Sequence, residues 1–144
     1  MATKMDGLSV GDVVAERTIE ISRDSLVRYA GASGDFNPIH YRDDVAASVG
    51  LPGVLAHGML TMGIAGSVVT DWCGADLEVT SFQVRFTKPV VVDPETGATL
   101  SVAASVGDIP NNEAGKPSAR IDLTVTSHTG EKVLGKAQMV VSPR

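Results

Sequence analysis

Between Ala56 and Thr70 the chain carries no Asp, Glu, Lys or Arg. A helix that offers water no charged face has to be buried. Gly58, Gly63 and Gly66 make the stretch a poor helix by propensity, each costing about 1 kcal/mol against Ala, so close packing must offset them. From Glu78 the pattern changes to a period of two: Phe82, Val84 and Phe86 alternate with Gln83, Arg85 and Thr87. Further alternating runs follow at Leu100 to Val106, Ile121 to Val125 and Val133 to Val141. One long apolar helix over about residues 56–72, followed by this much alternating strand, predicts a two-layer α+β domain with the helix at its centre.

The remaining punctuation fits that plan. Residues 1–11 are a lead-in, and Val13, Ala15, Ile19 and Ile21 predict a strand over residues 12–21, with Arg17 interrupting its apolar face. Ser22 is a good N-cap and Asp24 favours the first turn of a helix that runs out into Gly31 and Gly34. A short helix over residues 43–49 stops at Gly50. Pro89 belongs at a strand end or bulge, residues 93–97 form a turn, and residues 107–118 make a loose hairpin connection. About five strands result, four of them successive and joined by turns, hence largely antiparallel.

At 144 residues, with 43% hydrophobic and 20% charged residues, the chain is expected to form one domain, 1–144, with a core of its own. A net charge of −5 without any run of basic residues argues against a nucleic-acid partner. The lone cysteine, Cys73, rules out an internal disulfide and a cysteine-based zinc site. No apolar segment follows the N-terminal residues, and the longest apolar run, 54–70, falls short of the ~20 residues a membrane span needs. A cytoplasmic protein without membrane insertion is the expectation.

Chemistry concentrates in residues 29–46. Asp35 and His40 lie on either side of Asn37-Pro38, a dipeptide that fixes a bend. Held across it, a carboxylate and an imidazole can share one water molecule as a general acid/base pair. The same residues also suit a purely structural role, with Asp35 closing an Asx turn and His40 packing at a helix start. Gly58 stands at the N-terminus of the apolar helix, where backbone N–H groups are free and a ligand can approach closely.

Tyr29, Ser33-Gly34-Asp35, Asn37-Pro38-Ile39-His40 and the small Ala46, together with Ala56-His57-Gly58-Met59-Leu60 and Val84-Arg85-Phe86-Thr87-Lys88-Pro89-Val90, make a combined pattern. It resembles the MaoC-like, (R)-specific enoyl-thioester hydratases, and among them the β-hydroxyacyl-carrier-protein dehydratase subunits of actinobacterial fatty-acid elongation. The resemblance covers most of the chain. It implies a hot-dog fold, in which the sheet wraps the central helix, and reversible hydration of trans-2-enoyl thioesters to (R)-3-hydroxyacyl thioesters. Asp35 and His40 would be catalytic and Gly58 the oxyanion donor, with no metal and no redox cofactor. The substrate would be borne on CoA or acyl-carrier protein. The assembly would be a homodimer or a heterodimer with a related hot-dog subunit.

Tyr29, Asn37 and His57 are the expected supports of the site. The family serine that steadies the carboxylate aligns with Gly66, leaving Ser67 one residue later. Arg85 and Lys88 are either solvated strand charges or contacts to a phosphopantetheine phosphate or an acidic carrier protein. Gly63 and Gly66 either permit close helix–sheet contact or open a groove for an acyl tail. Two other functions compete. A hot-dog thioesterase would need a carboxylate on the central helix, and none occurs between Ala46 and Asp71. A non-catalytic acyl-binding subunit of a heterodimeric dehydratase would be expected to lack the Asp/His pair.

Overall fold

The computed structural model describes residues 2–110, 115 and 117–144, so part of the expected connection at 107–118 lies outside the described residues. Five antiparallel strands form one sheet in the order β1-β3-β4-β5-β2: β1 Val13–Ile21, β2 Leu77–Phe86, β3 Ala98–Asp108, β4 Ala119–Ser127 and β5 Leu134–Pro143. Three helices, α1 Arg23–Ser33, α2 Asp43–Ser48 and α3 Gly58–Cys73, all fall between β1 and β2. No helix is long and apolar enough to cross a membrane among the described residues.

Helix α3 touches all five strands. Its Ala65, Val68, Val69 and Cys73 join Leu100, Val102, Ile121, Val125, Met139 and Val141 in the core. The helix is nevertheless not buried all round, as its lack of charge suggested. Met59 is 58% exposed, and Gly63 and Thr70 on the same stripe are exposed too, because a single sheet covers one side only. Gly66 lies on the covered side, where a Cβ would fall 2.8 Å from the Phe82 ring.

Helix α1 opens with a reciprocal cap in which the Ser22 hydroxyl accepts from Ser25 N–H and the Ser25 hydroxyl accepts from Ser22 N–H. It continues through Gly31 to end at Gly34, whose φ of 78° allows the left-handed C-cap that residues with a Cβ resist.

Two sequence expectations are corrected. Strands β2 and β3 are not joined by a turn, since β2 occupies a sheet edge beside β5 while β3 lies between β1 and β4. The connection instead pairs with the segment that leads into α3. Ala56 N–H donates to Val90 O and Val92 N–H to Val54 O, both at 2.9 Å, and Val54, Val90 and Val92 are buried. That ladder consumes the backbone groups a tight hairpin would have used. The strict alternation also fails in places. Bulges at Val14 in β1 and Thr80 in β2 each insert one residue, and an inserted residue flips every later side chain to the other face. Val13 is therefore 59% exposed although the pattern put it on the apolar face. Phe86, also expected inward, is 56% exposed at the end of β2.

Candidate active site

The bend after α1 is built from its own side chains. Ser33 Oγ accepts from Asp35 N–H, Asp35 Oδ1 from Asn37 N–H, and Asn37 Oδ1 from Ile39 N–H, at 3.1, 3.1 and 3.2 Å. Each bond spans two residues, so the chain turns tightly into a 3-10 turn over Pro38–His40. Asp35 thus closes an Asx turn with one oxygen and keeps the other free. That second oxygen, Oδ2, lies 3.9 Å from His40 Nε2. The Asp35 side chain is half exposed, while that of His40 is 10% exposed.

His40 is fixed from behind. Its Nδ1 donates to Leu55 O at 2.7 Å, the carbonyl setting the tautomer, so Nε2 is the nitrogen left to exchange a proton. The ring of His57 stacks on it, with centroids 3.8 Å apart and planes 22° apart. His57 Nε2 donates to Asp35 O at 3.1 Å, and Tyr29 meets its edge at 4.8 Å. His57 is 1% exposed. Burial, above all, pushes its pKa below the ordinary 6.5, and the neighbouring His40 acts in the same direction. His57 is therefore a neutral wedge, whose buried Nδ1 has no hydrogen-bond partner among the described residues.

Asp35, His40 and His57 offer ligand atoms within 4.8 Å of one another, a cluster that invites a metal. The ring geometry opposes it. Imidazole binds a metal in its own plane at about 2.0–2.1 Å, and rings stacked with centroids 3.8 Å apart and planes only 22° apart do not bring their planes together at that distance. The two rings cannot share an ion in this arrangement.

Gly58 begins α3, and His57 does not cap it with its side chain, so the N–H groups of the first turn remain available. A Cβ at Gly58 would stand 3.0 Å from the Phe86 ring, which would have to shift to admit it. Gly58 and His40 border a cavity of about 350 Å³ with Thr61, Phe86, Lys88, Pro89 and Leu134 among its walls. A second depression, of about 370 Å³, lies outside β1, β3 and β4 and holds no histidine.

The structure thus brings Tyr29, Asp35, Asn37, His40, His57 and Gly58 together. It leaves others apart. Ser67 Oγ donates to Ile64 O of its own helix at 2.6 Å, so it does not support Asp35, and no other described side chain takes that part. Gly63 faces open space and Gly66 the Phe82 ring, so neither lines the cavity. Lys88 does line it, whereas Arg85 lies on an outer depression. Two cavity features were missed from sequence. Leu55 acts through its carbonyl, which leaves no sequence signal. Thr61 is a polar residue 3% exposed on an apolar helix, and that oddity could have flagged it.

Comparison with known proteins adds to this geometry. A 3-hydroxyacyl-thioester dehydratase X of Mycobacterium tuberculosis is 30% identical over 74% of this chain and 37% of its own. An (R)-specific enoyl-CoA hydratase of Rhodospirillum rubrum is 31% identical over 60% of each chain. A solved structure described as a MaoC-like dehydratase superposes with a TM-score of 0.86 at 34% identity, covering 97% of this chain and 42% of that one. The chain thus spans well under half of the first and third of these proteins. The five-stranded antiparallel sheet with its packed helix is the hot-dog fold of such structures. Residues 9–129 match the MaoC like domain, and the chain belongs to that family.

Proposed function

We propose that the chain is a hydro-lyase that interconverts trans-2-enoyl and (R)-3-hydroxyacyl thioesters. The observation that carries this is the Asp35–His40 pair, 3.9 Å apart beside a cavity that Gly58 also borders. A gap of that size is too wide for a direct hydrogen bond, yet one water oxygen can contact both groups at about 2.8 Å. In hydration, Asp35 takes a proton from that water as its oxygen bonds to C3. The electron pair of the double bond moves toward the thioester oxygen, where the N–H at Gly58 stabilises it. His40 enters the step with a proton on Nε2 as well as on Nδ1, its Nε2 delivers that proton to C2, and a bridging water then returns the proton held by Asp35 to His40 Nε2. Dehydration runs the same steps backwards, as microscopic reversibility requires.

A thioesterase would place its carboxylate on α3, but the acid on that helix, Asp71, sits in its last turn and pairs with Arg17 of β1 at 2.7 Å. The outer edge of β2 is unpaired among the described residues. Phe86 in the cavity wall and Met59, which follows Gly58 on α3, stand exposed. A second hot-dog subunit suits that surface, and sedimentation of the purified chain tests it.

The test of activity follows enoyl absorbance and product configuration with a trans-2-enoyl-CoA. Asp35→Asn and His40→Ala should each lower kcat/KM by about 10²–10⁴-fold. Release of free CoA thiol by the wild type, or full activity in either variant, would sink the proposal.

A further inference from the structure

One side of the β2–β5 edge carries cations that no other described residue pairs with. Arg85 lies opposite Gly135, and a Cβ on Gly135 would stand 3.8 Å from Arg85 Cβ and 3.0 Å from Thr87 Cγ2. Arg85 and Thr87 therefore leave the sheet on the same side. Lys136 lies in the bulge on β5, where the register shifts between Gln83 and Arg85. With Gln83, Val84 and Arg85 it lines a depression of about 300 Å³. Thr87 and Lys88 carry this surface on to the cavity that holds His40 and Gly58.

Arg85, Lys88 and Lys136 make no ion pair with another described residue, whereas Arg17, Arg23, Arg42 and Arg120 each hold an aspartate. In a chain of net charge −5, such cations gathered beside a cavity form a local field of the opposite sign.

Lys136 gives a second, independent sign. At φ 42° it is the one non-glycine residue with positive φ among the described residues. A side chain in that region is strained, and glycine would relax it. Glycine stands next to the strained position, at 135, rather than on it. Strain of this kind points to a use for the side chain that bears it.

We infer that Arg85, Lys88 and Lys136 bind the phosphate groups of CoA, so that this surface selects a CoA-borne thioester. The inference rests on the thioester chemistry proposed above. Three cations match the diphosphate and 3′-phosphate of CoA better than the single phosphodiester of a carrier-protein arm. Guanidinium and ammonium groups hold phosphate through charge-assisted hydrogen bonds. Lys88 stands between the two regions, so the nucleotide lies on the β2–β5 face while the acyl end enters beside Gly58.

Calorimetric binding of unacylated CoA at low ionic strength tests this without relying on turnover. The proteins are wild type, Arg85→Ala/Lys136→Ala, Lys136→Gly, and Arg28→Ala as a remote exposed cation on α1. The double variant should bind about tenfold more weakly or worse, and added salt should weaken the wild type. Lys136→Gly should weaken CoA binding without lowering Tm, and Arg28→Ala should match the wild type. In kinetics, the ratio of kcat/KM for an enoyl-CoA to that for the phosphate-free enoyl-pantetheine should fall about tenfold in the double variant. Wild type that fails to bind CoA, a double variant that binds it normally, or equal losses on both thioesters would overturn the inference. So would a larger loss on a carrier-protein thioester than on the CoA thioester. If no thioester turns over but CoA binding is lost in the double variant, the phosphate surface stands and the hydratase proposal falls.

Discussion

His57 offers a quantitative handle on the site through acid stability. Folding holds it 1% exposed with its pKa pushed below 6.5, chiefly by burial. In the unfolded chain it titrates near 6.5, so below that pH the unfolded state takes up a proton that the folded state refuses. Stability is complete above pH 6.5 and is lost as pH falls toward the depressed folded value. Between pH 6.5 and 5.5 the protonation of one such group in the unfolded state amounts to at most about 1 kcal/mol. His57→Gln abolishes the titration and keeps an N–H near the place of Nε2, so Asp35 O retains a donor. The variant loses the stack on His40 at every pH, a loss of about 0.5–1.5 kcal/mol. Urea unfolding, followed by the fluorescence of the single tryptophan, Trp72, at pH 7.5 and 5.5 reads both effects. The variant should be the less stable at pH 7.5, and the gap should close by up to about 1.4 kcal/mol at pH 5.5. A gap that stays constant between the two pH values would refute the account of His57 as a buried neutral wedge.

Glycine positions give predictions of opposite sign. Gly66→Ala sets a Cβ 2.8 Å from the Phe82 ring and should cost about 1–3 kcal/mol, whereas Gly63→Ala meets open space and should gain about 0.5–1 kcal/mol; thermal melts of the two variants decide it. Gly97→Ala combines a φ of +70° with a Cβ 2.4 Å from the Ile21 carbonyl oxygen and should lower stability by about 2–4 kcal/mol. A melt within a degree or two of wild type would show that the loop entering β3 can yield.

The sequence announced the parts of this protein that depend on residue type and concealed those that depend on register. Ser22 as a cap, the Asp35–His40 bend and the glycine at the head of α3 each follow from a side chain's chemistry, and each stands where expected. The bulge at Val14 arises where strands meet, and nothing in that residue marks it, so Val13 was assigned to the wrong face; Phe86 keeps the helix side, beside Gly58, yet stays exposed at the strand end. The crossover from β2 to β3 was hidden for a related reason: the run Val90–Val92 looks like a strand continuation, and only its pairing with residues 54–56 gives it away. In the site, His57 was expected as a support, but its stacking on His40 depends on where α3 begins relative to the bend.

The order of strands sets a timetable for folding. β1 finds β3 across some ninety residues, Val13 opposite Ser105, and β2 waits for β5, Leu77 opposite Pro143. Contacts so distant in sequence close slowly, since the chain loses loop entropy before any pairing returns it. As the chain emerges from a ribosome, the segment that carries Asp35, His40 and Gly58 is made first, yet its cavity stays open until Val133 and Leu134 arrive. Until then Phe82, Val84 and Phe86 of β2 have no partner strand, the condition in which an edge pairs with the wrong chain. β5 is therefore the keystone, closing the sheet and the cavity in one step.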